Sequence, residues 1–195
     1  LSLFTAFAAL LLGMLVAGAL LRRRGSEAPS RALDLLASLP TALPGVVVAV
    51  GLILFWNAPW NPLALYGTPM ILVVSYLTVT FPYALRYAQI GLAASSGLDT
   101  AAAVHGASSI RRFLRITLPL AVPALAGAAS VVFALSMREL VTSVMLQPPG
   151  TQVISTYVMN QFLQGDVGDG MAMAVIGVFS SAALLGLARL ALGRI

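Results

Sequence analysis

Residues 99–137 read DTAAAVHGASSIRRFLRITLPLAVPALAGAASVVFALSM, and the change of character halfway along decides the fold. Up to Thr117 the stretch is polar and basic, with Arg111, Arg112 and Arg115. From Leu118 to Met137 it carries no ionisable side chain. A helix rises about 1.5 Å per residue, so this run is long enough to cross a hydrocarbon core about 30 Å thick. Working outward, four further stretches qualify as spans: Leu3–Leu21, Leu39–Trp56, Pro69–Tyr87 and Gly170–Leu187. The sequence therefore predicts an all-α integral membrane protein with five transmembrane helices in one domain over residues 1–195.

Composition agrees. Of the 195 residues 59% are hydrophobic and 9% charged, and mean hydropathy is +0.97; soluble domains carry about 25% charged residues. All 11 basic residues are arginine, there is no cysteine, and His105 is the single histidine. A phosphate-cradling P-loop needs lysine, so the chain has no ATPase site of this kind. Schiff-base chemistry on lysine, disulfides, thiolate nucleophiles and Cys-ligated zinc are excluded on the same basis. His105 lacks a second histidine or a carboxylate cluster, which leaves neither a catalytic base nor a metal site, and the chain reads as a non-enzyme. The net charge of +5 reads as topology signals and not as nucleic-acid binding.

The arginines are distributed with one bias. Arg22, Arg23, Arg24 and Arg31 follow the first span, Arg86, Arg111, Arg112 and Arg115 border the segment after the third, and Arg189 and Arg194 close the chain; only Arg138 falls on the other side. The positive-inside rule places these segments in the cytoplasm, the N-terminus of the sequence outside and its C-terminus inside. The start is not a secretory signal, because the charges follow the apolar run. Leu1 in place of methionine leads to the expectation of a fragment, or one half of a longer protein, with another span upstream.

Small residues recur at four-residue spacing in the fourth span (Ala124 and Ala128, Ala126 and Ser130) and in the fifth (Gly177 and Ser181, Ala182 and Gly186). Such stripes let helix backbones approach closely. Pro44-Gly45, Pro82 and Pro123 interrupt hydrogen-bond ladders in or near spans, which suits a jointed bundle and is also common in membrane helices.

The cytoplasmic stretch 89–118 is too long for a hairpin connection. Asp99 or Thr100 is expected to cap a short helix that Gly106 ends in the left-handed conformation, and Ser108 or Ser109 to cap a second helix running to Pro119. Within this helix-turn-helix, Ala101-Ala102, Gly106, Ile116 and Leu118-Pro119 fall at the spacings of a known motif: Glu-Ala-Ala, three residues, Gly, nine residues, Ile, one residue, Leu-Pro. The chain thus resembles the type I permease subunits of binding-protein-dependent ABC importers, over about residues 3–190. Thr100 departs from the motif's glutamate, and Asp99 beside it is the residue that could partly supply that charge.

The resemblance implies that residues 89–118 form a coupling loop, with Thr100, Ala101, Ala102, Gly106, Ile116, Leu118 and Pro119 as its ATPase-docking positions. It implies partners: cytoplasmic ABC ATPase subunits that bind ATP and Mg, a second permease half or copy, an extracytoplasmic solute-binding protein and the lipid of the inner (plasma) membrane. No cofactor belongs to this chain. Without the family, the same residues could simply stabilise a surface turn.

On the outer side, Arg138-Glu139 either ends the fourth span at the interface or lines the translocation path. Residues 151–164 alternate apolar and polar at helical spacing and predict an amphipathic surface helix, a gate element or an interfacial brace. The Arg-Glu-Leu stretch, the Pro-Pro-Gly-Thr break and the Gly-Asp-Val-Gly-Asp-Gly run are similar to the iron(III) branch of these permeases. Permeases for 2-aminoethylphosphonate, thiamine and sulfate are similar as well. No metal-ligating cluster falls inside the spans, so solute selection is expected to rest with the separate binding protein. A secondary transporter would require an ionisable coupling site at mid-membrane, for which these spans offer no clear acidic residue.

Overall fold

The computed structural model describes residues 1–22, 27–63 and 65–192. Among the described residues there are helices and turns but no strands. The helices are α1 (Ser2–Arg22), α2 (Glu27–Ala42), α3 (Gly45–Trp56), α4 (Met70–Ala93), α5 (Ser96–Val104), α6 (Ser109–Arg112), α7 (Leu118–Met137), α8 (Val141–Leu146), α9 (Ile154–Gln164) and α10 (Val167–Leu192), with a π-helical turn, Phe113–Thr117, between α6 and α7. Arg23, Arg24 and Arg194, three of the arginines used for sidedness, lie outside the described residues.

The centre is the trio α1, α4 and α7, and it is built on missing side chains. A Cβ on Gly13 of α1 would come within 3.1 Å of the Ala84 carbonyl in α4, and one on Gly91 of α4 within 3.1 Å of the Ala121 Cβ and 3.2 Å of the Ala124 Cβ in α7. Ala17, Leu85 and Ala88 close the packing near one end of the trio, and Ala9, Ala84 and Val132 farther along. In lipid no hydrophobic force drives helices together, so close backbone approach supplies the packing. The fourth-span stripe follows this logic, with Ala128 and Ser130 buried. The fifth-span stripe does so only in part: Gly177 meets Ile154 of α9, but no described residue lies within 4 Å of a Cβ on Gly186. Half of the most apolar window of α4 is buried and none of that of α10, which makes α10 peripheral.

Four helices are long and apolar enough to cross a membrane as single rods, and α1, α4, α7 and α10 are each close to a sequence-predicted span. The stretch Leu39–Trp56 is different. The chain bends by 114° between Asp34–Ala42 and Gly45–Trp56, so the second expected span is a broken pair. Pro44 causes the break. It has no N–H to continue the ladder, a proline disfavours the α region for the residue before it, here Leu43, and its own backbone is extended at φ −56°, ψ 137°. α2 is pinned beside the end of α4 by Arg86, whose guanidinium bonds the Asp34 carboxylate at 2.9 Å, and by Gln89, which donates to the same carboxylate at 3.1 Å.

The helical spans overrun their predicted ends. α4 continues to Ala93, so only the part of residues 89–118 after it is free of a span. At the far side of that loop α6, the π turn and α7 join into one 29-residue rod, Ser109–Met137. The second helix of the expected helix-turn-helix is therefore the leading end of a span.

Candidate functional site

The chain leaves α4 through Ala94 and Ser95, both still in the αR region, and enters α5 at Ser96. Because the backbone never becomes extended there, no side chain caps α5; the Ser95 hydroxyl donates instead to the Leu92 carbonyl at 3.0 Å. This corrects the expected cap at Asp99 or Thr100. Both residues lie inside the helix: Asp99 in the first turn, where a negative charge complements the helix dipole, and Thr100 with its hydroxyl bonded to the Ser96 carbonyl at 2.9 Å.

The other end of α5 is as the sequence predicts. Gly106 adopts φ +79°; its N–H bonds the Ala103 carbonyl at 3.0 Å, and the Ala107 N–H bonds the Ala102 carbonyl at 3.0 Å. These two bonds form a Schellman turn, which requires the left-handed conformation that a side chain resists. Among the described residues nothing lies within 4 Å of a Cβ built on Gly106, so the turn needs glycine for its backbone and not for lack of room. Ser108 is extended and accepts from the Arg111 N–H, capping α6. Ile116 falls in the π turn, and Leu118 and Pro119 begin α7.

The result is an elbow whose tip is bare. Thr100, Ala101, His105 and Gly106 are exposed and Ala102 half-buried. Val104 is 81% exposed and Ile110 75%. Apolar side chains displayed around a glycine turn are the kind of surface that a partner covers.

Across the elbow runs an ion pair that the sequence reading did not anticipate. The Arg112 guanidinium lies 3.4 Å from the Asp99 carboxylate and donates to the Asp99 carbonyl at 3.3 Å and the Ser109 hydroxyl at 3.4 Å. A signal was present: Asp99 precedes Gly106 by seven residues and Arg112 follows it by six, which a hairpin about Gly106 brings opposite one another. The Asp99 carboxylate is thus engaged within the chain.

The far end of α7 has a second polar centre. Arg138 ends the helix and is exposed. A Glu139 carboxylate oxygen accepts the Thr142 N–H at 3.1 Å, and the Glu139 carbonyl accepts from the hydroxyls of Ser143 and Ser155. Ser143 spends its one proton on that carbonyl, so in the 2.7 Å contact between the Ser143 and Tyr76 hydroxyls the tyrosine donates. Tyr76 is 1% exposed and Ser143 fully buried. This relay fastens α4, α8 and α9 together. A cavity of about 320 Å³ opens nearby, lined by Leu1, Tyr76, Phe133, Ser136 and Met137 among others; Arg138 and Glu139 are not in its lining. The amphipathic stretch is α9, which ends at Gly165 with φ +83°. Among the described residues no group of three or more His, Asp or Glu side chains is placed to hold a metal.

Comparison with known proteins bears on this arrangement. The chain is 29% identical over 178 residues to the 2-aminoethylphosphonate transport system permease protein PhnV of Salmonella typhimurium, a match covering 90% of this chain and 66% of that protein. It is 30% identical over 167 residues to the ferric transport system permease protein FbpB of Actinobacillus pleuropneumoniae, covering 85% of this chain and 24% of that one. The chain therefore spans just under two thirds of PhnV and about a quarter of FbpB. Its fold matches a chain in the inward-facing MetNI methionine ABC transporter with a TM-score of 0.72 at 18% identity, over 96% of this chain and 89% of that one. The model of one family, the binding-protein-dependent transport system inner membrane component, matches residues 9–195. With the elbow motif, the bundle and this match in agreement, the chain belongs to the family of binding-protein-dependent transport system inner membrane components.

Proposed function

We propose that the chain is the permease subunit of an ABC importer, that it forms part of the translocation path, and that a separate ATPase drives it through the elbow. The elbow carries this reading: a Schellman turn at Gly106 presents Val104 at the end of α5 and Ile110 on the arm continuous with the 29-residue rod that ends in α7, both open to solvent. A push on that arm moves a whole span, and α5 joins the neighbouring span α4 through two residues. The elbow faces the cytoplasm, and the inner membrane is the site of action. Leu1 and Met137 line one cavity at the far end, while Leu20 packs with Leu92 near the elbow, so the start of α1 and the elbow lie at opposite ends of the bundle; the arginine bias is what supports the cytoplasmic side for the elbow. A second permease half or copy completes the path, and a binding protein outside the membrane selects the solute.

The names of the relatives offer two solute classes, ferric ion and 2-aminoethylphosphonate. The test reconstitutes the complete protein with its ATPase and with binding proteins loaded with either solute. Stimulation of ATP hydrolysis by one loaded binding protein, with uptake of its solute, is expected and identifies the class. Gly106→Asn tests the elbow separately. Asparagine tolerates the left-handed turn but projects a side chain into open space, so ATPase binding is expected to weaken about tenfold, equivalent to about 1.4 kcal/mol. Unchanged binding would remove the elbow from the docking surface.

A further inference from the structure

The Asp99–Arg112 pair bridges the two arms of the elbow at their base, away from its tip. Asp99 is in the first turn of α5, and Arg112 is the last residue of α6, directly before the π turn that leads into α7. Three contacts converge on the guanidinium: the Asp99 carboxylate at 3.4 Å, the Asp99 carbonyl at 3.3 Å and the Ser109 hydroxyl at 3.4 Å. The Arg112 side chain is 19% exposed, against 37% for Asp99. An arginine this covered is no longer a free surface charge, and its planar fork fixes direction as well as distance.

We propose that Asp99 and Arg112 are positioning residues that lock α5 to the leading end of α7, so that the elbow moves as one body with the span. This rests on the reading of the elbow as the ATPase-docking site. Without the pair, α5 is attached to its surroundings by the Ala94-Ser95 turn, the Gly106 turn and its packing on α6 and the π turn. Movement of α5 would then be absorbed by rotation at those two turns before it reached α7. The same geometry assigns Asp99 an internal partner, so the charge missing at Thr100 is not restored at the docking face; the carboxylate serves the hinge.

The test uses the complete transporter in liposomes with its ATPase and a loaded binding protein, and measures two quantities: affinity for the ATPase, and solute taken up per ATP hydrolysed. For Asp99→Asn and Arg112→Gln, uptake per ATP is expected to fall about fivefold, the scale on which one partly shielded ion pair biases a two-state equilibrium, with ATPase affinity held within about twofold. The exchanged variant Asp99→Arg with Arg112→Asp restores opposite charges across the joint and is expected to recover at least about half of the lost coupling. Rescue of this kind separates positioning from mere loss of folding, and Asp99→Asn keeps the test valid should the Arg112 variant not assemble. Wild-type coupling in Asp99→Asn, or an exchanged variant no better than the single ones, would overturn the proposal. So would a loss of ATPase affinity in Asp99→Asn as large as that in Gly106→Asn, which would make Asp99 a docking contact and leave the docking reading intact. Failure of Gly106→Asn to weaken docking strikes the underlying reading instead.

Discussion

The two ends of α7 are organised on opposite principles. At the elbow the shape is held by short-range bonds, from the Gly106 turn to the Asp99–Arg112 contact 13 residues apart, and the apolar side chains are displayed. At the other end the Glu139 carbonyl gathers Ser143 and Ser155, and Ser143 receives Tyr76 from 67 residues away, with Tyr76 and Ser143 buried and Glu139 and Ser155 half-buried. A unit whose form is local keeps that form while it moves. A junction made of bonds between three helices holds only while all three stay in place. The contrast fits the proposed role of the elbow in transmission and gives the Glu139 junction the character of an anchor.

The largest expected effect is on the anchored end. Ser143→Ala leaves the Tyr76 hydroxyl buried without an acceptor and takes one donor from the Glu139 carbonyl, a loss of about 2 kcal/mol. The midpoint of unfolding in detergent should fall accordingly, while ATPase binding to the folded fraction stays unchanged. Tyr76→Phe leaves the Ser143 bond to Glu139 in place and should cost about 1 kcal/mol. Because the two residues share one bond, the double variant should be less destabilised than the sum of the single ones. Simple additivity would show that the relay does not act as a unit.

The elbow should respond in the reverse sense. Gly106→Ala places a β-carbon on a left-handed residue at a local cost of about 1 kcal/mol, and the open space around it adds no clash. The unfolding midpoint of the bundle should scarcely move, while hydrogen exchange at Ala103–Ala107 rises and ATPase binding weakens. A fall in the midpoint as large as that for Ser143→Ala would abolish the distinction between the two ends.

This difference also explains what the sequence disclosed. The elbow was legible because its determinants lie within about 20 residues: the Ala-Ala, Gly and Leu-Pro spacing, and a glycine that only a left-handed turn explains. Four spans were legible from length and hydropathy. The break at Pro44 was visible as a proline, but whether a proline bends a span depends on what packs around it; Pro82 and Pro123 sit inside α4 and α7 without ending them. The Tyr76–Ser143–Glu139 relay left no mark in the sequence, because a serine and a tyrosine in apolar runs are ordinary until the fold brings them within 2.7 Å.

The smallest effects are expected at the pair for which the sequence left two roles open. Glu139→Gln keeps a side-chain oxygen for the Thr142 N–H and does not touch the carbonyl that gathers the two serines, so it replaces a charged acceptor by a neutral one at a cost of about 0.5 kcal/mol. Arg138→Ala alters an exposed side chain and should be within that range. Stability therefore cannot account for any large change in uptake, which makes these variants a clean probe of the path. If Glu139 only anchors α8, both variants transport at the wild-type rate. A severalfold fall in uptake with unaltered membrane insertion and unaltered unfolding midpoint would place the side chain in the route of the solute, and the far end of α7 would then both anchor the bundle and conduct.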